Sequence, residues 1–413
     1  MNFKEKRQHF YSKIPEFWAD LYGQEYGLFD VKVMDEEFAH DTKKFARKAG
    51  HIFFKTTELL QSKEIPDSTF LQMGYPSETL PFLRLGGAPF NTVIGRFDSV
   101  VINQLHKILE FNSDTPTFIY ELFKVNGMVC KEFGFKNPNE QEETLLKKTV
   151  KKSIMDAFAL LKQNHFPNIV FTSHNESIED RNTVIYLQEL SGLPSQYVPL
   201  DQLRIMEGEA LLDPEGIPID VLYRQTFPIE SMIFDVDPDT SAKVGEQLLN
   251  LVALNKLAII NPPSAFLMQN KALMSVIWGL HEEGSPFFTS EEHVWIEEHF
   301  LPTYLEPDPF INRGEKYVQK PVFGREGDTV EIFDGTGAKV DENQHKSYSN
   351  YLSVYQKFVE LPTTKIRTEA GESEGHFMVG TFLLNGSPSA FGFRVGNQIT
   401  NNLSYFLPVG INK

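Results

Sequence analysis

Residues 95–116, GRFDSVVINQLHKILEFNSDTP, decide how the chain is read. They have the pattern of two short strands joined by a tight connection. Phe97, Ser99 and Val101 alternate with Arg96, Asp98 and Val100, and Leu109 and Phe111 alternate with Glu110 and Asn112. Side chains two apart on a strand share a face, so Arg96 with Asp98, and Glu110 with Asn112, project together. If the strands pair, one face carries two carboxylates, a carboxamide and a guanidinium, and the other is apolar. Oxygen donors gathered in this way suit a hard cation such as magnesium, which keeps waters and bridges to substrate phosphates. A solvated edge hairpin with a cross-strand ion pair fits the same residues, because charges usually point at water.

Composition narrows the class. The 413 residues allow two or three domains with sizeable cores, and the 35 phenylalanines predict aromatic-rich packing. Cys130 is the one cysteine, which excludes a disulfide within the chain and a tetrahedral cysteine zinc site. In GMVCKEF it reads as a packed thiol. A formal charge of −17 argues against nucleic acid as the main partner, since phosphate backbones demand clustered Lys and Arg. The opening MNFKEKRQHFYSKIPEFW is mixed polar and amphipathic rather than a leader, and no apolar run approaches the roughly 18 residues of a membrane span. The expectation is a cytoplasmic chain.

From Lys4 to about Leu60 the spacing predicts helix, and PDSTFLQMGYPSETLPFLRLGGAP (66–89) predicts loops. Beyond the hairpin, Thr115 and Pro116 are expected to start a helix that continues through Phe123 to Phe133. KNPNEQEETLLKKTVKKSIMDAFALLKQN continues as an amphipathic helix. Next come strands at Asn168–Ser173, Gln196–Pro199 and Ile219–Arg224, with a helix from Asp180 to Leu190 stopped by Gly192. This alternation predicts a small parallel sheet, with ligands beyond the carboxyl ends of its strands. Glu179 and Asp180 stand there, either as ligand contacts or as helix-end charges opposing the dipole. LVALNKLAIINPP and KALMSVIWGLH read as helices around a Pro-Pro break. The remaining segments complete a sheet, with Asn385-Gly386 as a hairpin turn.

A second group of residues concerns anions. In YVQKPVFGREGDTVEIF, Lys320 precedes Gly324-Arg325-Glu326-Gly327, whose glycines let backbone N–H groups converge on a phosphate. A plain β-turn accounts for the loop equally simply. Lys271 could be a second phosphate contact or a helix-surface charge. Gln356 and Glu360, in VYQKFVELP, could read an adenine edge, and Arg394 stands between glycines where it could stabilise developing charge.

The ordered succession GRFD, EFNSDTP, NKALMSVIWGLH, YVQKPVFGREG, VYQKFVELP and GFRVGNQITNNLSYFLP resembles the synthetase domain of the glutathionylspermidine synthetase family, from about residue 20 to the end. The resemblance implies an α/β (α+β) chain, an ATP-grasp fold with an adjoining preATP-grasp domain. By that reading residues 1–130 form a helical region with the metal hairpin, 131–240 the α/β domain, and 241–413 the nucleotide-binding region. It implies a cytoplasmic C–N ligase that uses ATP and one or two Mg2+ ions, acts on small molecules such as glutathione and a polyamine, and can form a homodimer. Asp98, Glu110 and Asn112 would be magnesium ligands, and Arg96 would stabilise the transition state beside ATP or the acyl substrate. Lys271 and Lys320 would bind phosphate beneath Arg325, Glu326 and Gly327, with Gln356 by the nucleotide and Arg394 on a mobile segment near the reaction centre. Ser113 to Thr115, Glu179, Asp180 and Arg325 fall where the family holds glutathione or the amine. Two departures stand out. The stretch before the motifs is expected to be too short for the amidase region of the bifunctional members, and ITNNLSYFLPVGINK does not reproduce the acidic residue the family uses for the polyamine. The ATP machinery therefore reads as intact and the substrate pocket as diverged, which leaves an ATP-binding homologue without catalysis as the alternative.

Overall fold

The computed structural model describes residues 1–85, 91–225 and 227–412. The hairpin is present as Ile94–Ile102 and Leu105–Asn112. Its two-residue connection, Asn103-Gln104, has φ of 49° and 67°, as a tight turn matching the strand twist requires. Arg96 pairs with Asn112 and Asp98 with Glu110, so the four polar side chains do share one face. On the other face Phe97 stacks on Phe111 at 4.1 Å. The helix Glu36–Gln61, started by Asp35 accepting from the Phe38 N–H, lays Phe53 against both rings. This aromatic seam holds the hairpin down and leaves its charged face toward the rest of the molecule.

The hairpin belongs to a six-stranded antiparallel sheet with Thr363–Thr368, Gly371–Leu384, Ser387–Gly396 and Tyr405–Leu407. Asn385-Gly386 makes the expected two-residue turn, with Leu384 paired to Ser387. Tyr317–Pro321, Glu331–Phe333 and Ser353–Lys357 enter a separate five-stranded antiparallel sheet, so the segments read as one sheet are two. A third sheet is parallel. It sets Ala258–Ile260, Val221–Arg224, Ile169–Thr172 and Gln196–Tyr197 side by side, and the helix Ile178–Ser191 ends at Gly192 as expected.

Further expectations change. Ala258–Ile260, read as helix, is a fully buried strand, and a short apolar run does not distinguish the two by periodicity. Lys4–Leu60 is not continuous helix: Phe3–Tyr11 and Glu36–Gln61 flank short strands, with Gly23 and Gly27 in the interruption. Residues 115–118 are not helical either. Phe118 has φ of 78°, and a π-turn, Glu121–Val125, precedes the helix Asn126–Phe133. The 66–85 part of the expected loop carries short helices, and 86–89 lie outside the described residues. Among the described residues no helix is long and apolar enough to cross a membrane.

Two core histidines are expected to make the fold acid-sensitive. His106 is held by Thr42 and Ser99, each at 3.0 Å, and stacks on Phe45; His299 Nδ1 lies 3.0 Å from the His106 carbonyl. Burial brings them down to about 3 and about 4 respectively. The unfolded chain binds these protons near pH 6.5, whereas the folded chain resists until far lower, so stability is full above about 6.5 and falls as pH drops. The urea midpoint should fall between pH 6.5 and 4.5, and His106→Asn should flatten that fall; an unchanged slope in the variant contradicts this assignment.

Candidate active site

The charged hairpin face is buried, with Arg96 and Asp98 only 4% and 1% exposed, which excludes the solvated-hairpin reading. Arg96 grips Asp98 through Nε–Oδ1 (2.7 Å) and Nη2–Oδ2 (2.8 Å), and donates Nη1 to the Thr117 carbonyl (2.8 Å). Asn112 Nδ2 donates to Asp98 Oδ2 (3.2 Å) and Glu110 Oε1 (3.1 Å). Lys271 is buried rather than a surface charge. Its Nζ is 3.3 Å from Glu110 Oε2 and donates to the Gly324 carbonyl at 2.9 Å. Lys320 donates to the Leu109 carbonyl (3.2 Å) and to Gln356 Oε1 (2.7 Å). Gln356 thus orients a lysine.

These side chains line a single cleft, together with Arg325, Glu326, Gly327, Arg394 and an apolar patch of Val318, Ile332, Leu361 and Met378. Arg325 reaches back to the Thr115 hydroxyl and carbonyl. Gly327, at φ of 67°, packs so tightly that a Cβ would lie 2.1 Å from the Thr400 carbonyl oxygen, so the position demands glycine. Arg394 is held by the Asn401 carbonyl at 2.9 Å.

Burial pushes the Asp98 carboxyl up, and the Arg96 guanidinium opposes it. Glu110 is also pushed up by burial, but Lys271, Lys320 and Asn112 outweigh that and bring it to about 2. Burial, reinforced by Lys271, lowers Lys320 to about 8 against the pull of Glu110 and Asp98. Among the described residues no three His, Cys, Asp or Glu side chains are grouped to hold a metal alone. Two carboxylates and an amide facing lysines instead fit a magnesium ion that draws its remaining oxygens from water and phosphate.

Not every expected residue enters the cleft. Ser113 is fully buried and donates its hydroxyl to the Ala265 carbonyl (2.7 Å), which makes it a packing contact. Glu179 and Asp180 occupy the first turn of Ile178–Ser191, whose cap is Ser177. Both carboxyls are pushed up first by burial, and the charge of Glu326, on the cleft wall, pushes each further. Glu121 was not singled out from the sequence. It is completely buried in the π-turn, accepts from the Tyr26 hydroxyl at 2.6 Å, and leaves Oε2 without a hydrogen-bond partner among the described residues. Burial raises its carboxyl while Arg394 and Arg96 pull it down. The available signal was a single carboxylate inside the apolar run FIYELF.

The fold extends to solved structures. A glutathione synthetase-like effector from Globodera pallida, in apo form, superposes with a TM-score of 0.61 at 12% identity, covering 98% of this chain and 96% of that one. Two curated relatives are each 22% identical. A putative acid–amine ligase of Haemophilus influenzae matches over 76% of this chain and 73% of its own length. Trypanothione synthetase of Crithidia fasciculata matches over 79% of this chain and 48% of its own, so the chain spans about half of that relative. The class defined in this way is the C–N ligases. Residues 20–412 match the glutathionylspermidine synthase preATP-grasp family, and the chain belongs to it.

Lys320 provides a test of the cleft's anion chemistry. Below pH 8 its ammonium attracts phosphate, and as pH rises through about 8 the charge is lost. Affinity for tripolyphosphate should weaken above pH 8 in the unmodified protein, and Lys320→Arg, which stays charged, should remove that alkaline limb. A limb that survives the substitution refutes the assignment.

Proposed function

We propose that the chain is an ATP-dependent carboxylate–amine ligase working through an acyl phosphate. The observation that carries this reading is the buried face of Arg96, Asp98, Glu110 and Asn112 opposite Lys271 and Lys320, in one cleft under the Gly324–Gly327 loop. A substrate carboxylate oxygen attacks the γ-phosphorus of ATP, and ADP leaves. An amine nitrogen then attacks the acyl carbon, phosphate departs with the C–O bond electrons, and the nitrogen sheds its extra proton. The protein supplies positioning and charge rather than a nucleophile, as phosphoryl transfer generally requires. Lys271 and Lys320 neutralise the phosphates, Gln356 aims Lys320, and Arg96 stands fixed beside the transferred group. Bound magnesium, on Asp98, Glu110 and Asn112, would offset the charge developing on the phosphates.

The family and the trypanothione synthetase relative point to glutathione and a polyamine as the first pair to try. Phosphate release from Mg·ATP should rise only when both are present, with a product mass equal to their sum minus water. ATP that binds but is not turned over with any peptide–amine pair favours a homologue without catalysis. Glu110→Gln should lower turnover about 100-fold or more in protein that remains folded, with a fall in the thermal midpoint because Lys271 keeps the Gly324 carbonyl but loses its carboxylate partner. Asp98→Asn serves less well because it leaves Arg96 buried without its partner. Undiminished turnover in Glu110→Gln removes the metal assignment.

A further inference from the structure

The carboxyl ends of a parallel sheet ordinarily open a crevice for a ligand. Here the chain's own residues 113–116 are gripped from those ends. Arg224, last in its strand, forks onto the Asp114 carboxylate, and Gln225 Nε2 donates to the Pro116 carbonyl at 2.6 Å. Asn261, directly after Ala258–Ile260, does the most. Its Oδ1 accepts from the Val93 and Ile94 N–H groups (2.8 and 3.1 Å), and its Nδ2 donates to the carbonyls of Ile94 (2.9 Å), Ser113 (3.0 Å) and Asp114 (2.6 Å). One buried amide therefore joins both strands of the hairpin at the end opposite its turn. Asn261 does not line the cleft.

That location matters mechanically. The Asn103-Gln104 turn fixes the far end, whereas the near end, where Ile94 begins one strand and Asn112 finishes the other, has no covalent closure. Asn112 adjoins Ser113, and Asp98 lies two residues beyond Arg96, whose partner is Asn112. A splay at Ile94 and Ser113 would thus separate Asp98, Glu110 and Asn112 from Lys271 and Lys320. Ligand sets tolerate only about 0.5 Å of such error.

We propose that Asn261, with Gln225 beside it, is a positioning residue that sets the hairpin's polar face against the two lysines, and so tunes how strongly magnesium promotes nucleotide binding. The inference rests on the proposed metal–nucleotide reading of that face. The remaining sheet contact, Arg224 on Asp114, anchors the same segment but reaches the hairpin only through it.

The test is calorimetric binding of a non-hydrolysable ATP analogue, with and without magnesium, alongside the thermal midpoint. In the unmodified protein magnesium should tighten the analogue. Asn261→Asp keeps the acceptor but replaces the two N–H donors, shared among three carbonyls, by an oxygen that repels them, and should weaken the magnesium-dependent affinity about tenfold while magnesium-free binding through the lysines is unchanged. Gln225→Met removes the bond to Pro116 together with the long Tyr223 hydroxyl contact to Oε1 (3.4 Å) and should weaken it about threefold, which keeps the proposal open to test if Asn261→Asp does not fold. A lowered midpoint with unaltered magnesium dependence in the folded variants overturns the proposal. No magnesium effect in the unmodified protein overturns the underlying metal–nucleotide reading instead, and the two failures are distinct.

Discussion

Placing five charged side chains behind one protein wall is the constraint on which the rest of the site depends. Each buried ion costs several kcal/mol unless it is paired. Asp98 meets this with the Arg96 fork, and Glu110 with Lys271 and the Asn112 amide. Lys320 is only partly compensated, by carbonyl and amide oxygens, and its lowered proton affinity is the consequence. Six cationic side chains line the cleft against four carboxylates, so it is poised for an anion rather than neutralised. The apolar hairpin face offsets part of the cost by burying Phe97 and Phe111 under Phe53.

Residues 113–117 connect this charge cluster to everything around it. Asn261 and Gln269 hold their backbone, Arg224 holds Asp114, Gln225 holds Pro116, Arg325 holds Thr115 and Arg96 holds the Thr117 carbonyl. This is why the helix expected from Thr115 does not form there. Side-chain partners drawn from three distant parts of the chain satisfy the backbone that a helix would otherwise pair internally. The parallel sheet, the glycine loop and the charged hairpin meet on five residues, so a change in one is felt by the others.

The hairpin was legible because period-two alternation over nine and eight residues has few competing explanations, and pairing follows from the short connection. That Lys271 and Lys320 line one cleft was legible only through ordered motifs; neither spacing nor composition distinguishes a cleft lysine from a surface one. Ala258–Ile260 was not, because a three-residue buried run lacks any period. Glu121 escaped for the opposite reason: one carboxylate among apolar residues acquires meaning only when Tyr26 and Arg394, from distant segments, close around it. Ser113 shows the limit of carrying roles by adjacency. It directly follows Asn112 of the cleft, yet its hydroxyl is turned to the Ala265 carbonyl.

A crystal structure with magnesium and a non-hydrolysable ATP analogue tests the central claim most directly. The account predicts an ion bound by Glu110 and Asn112, with Asp98 at its side, bridging to phosphates that touch Lys271 and Lys320. An analogue bound outside this cleft, or an ion held by phosphate and water with no oxygen from the hairpin, would contradict it.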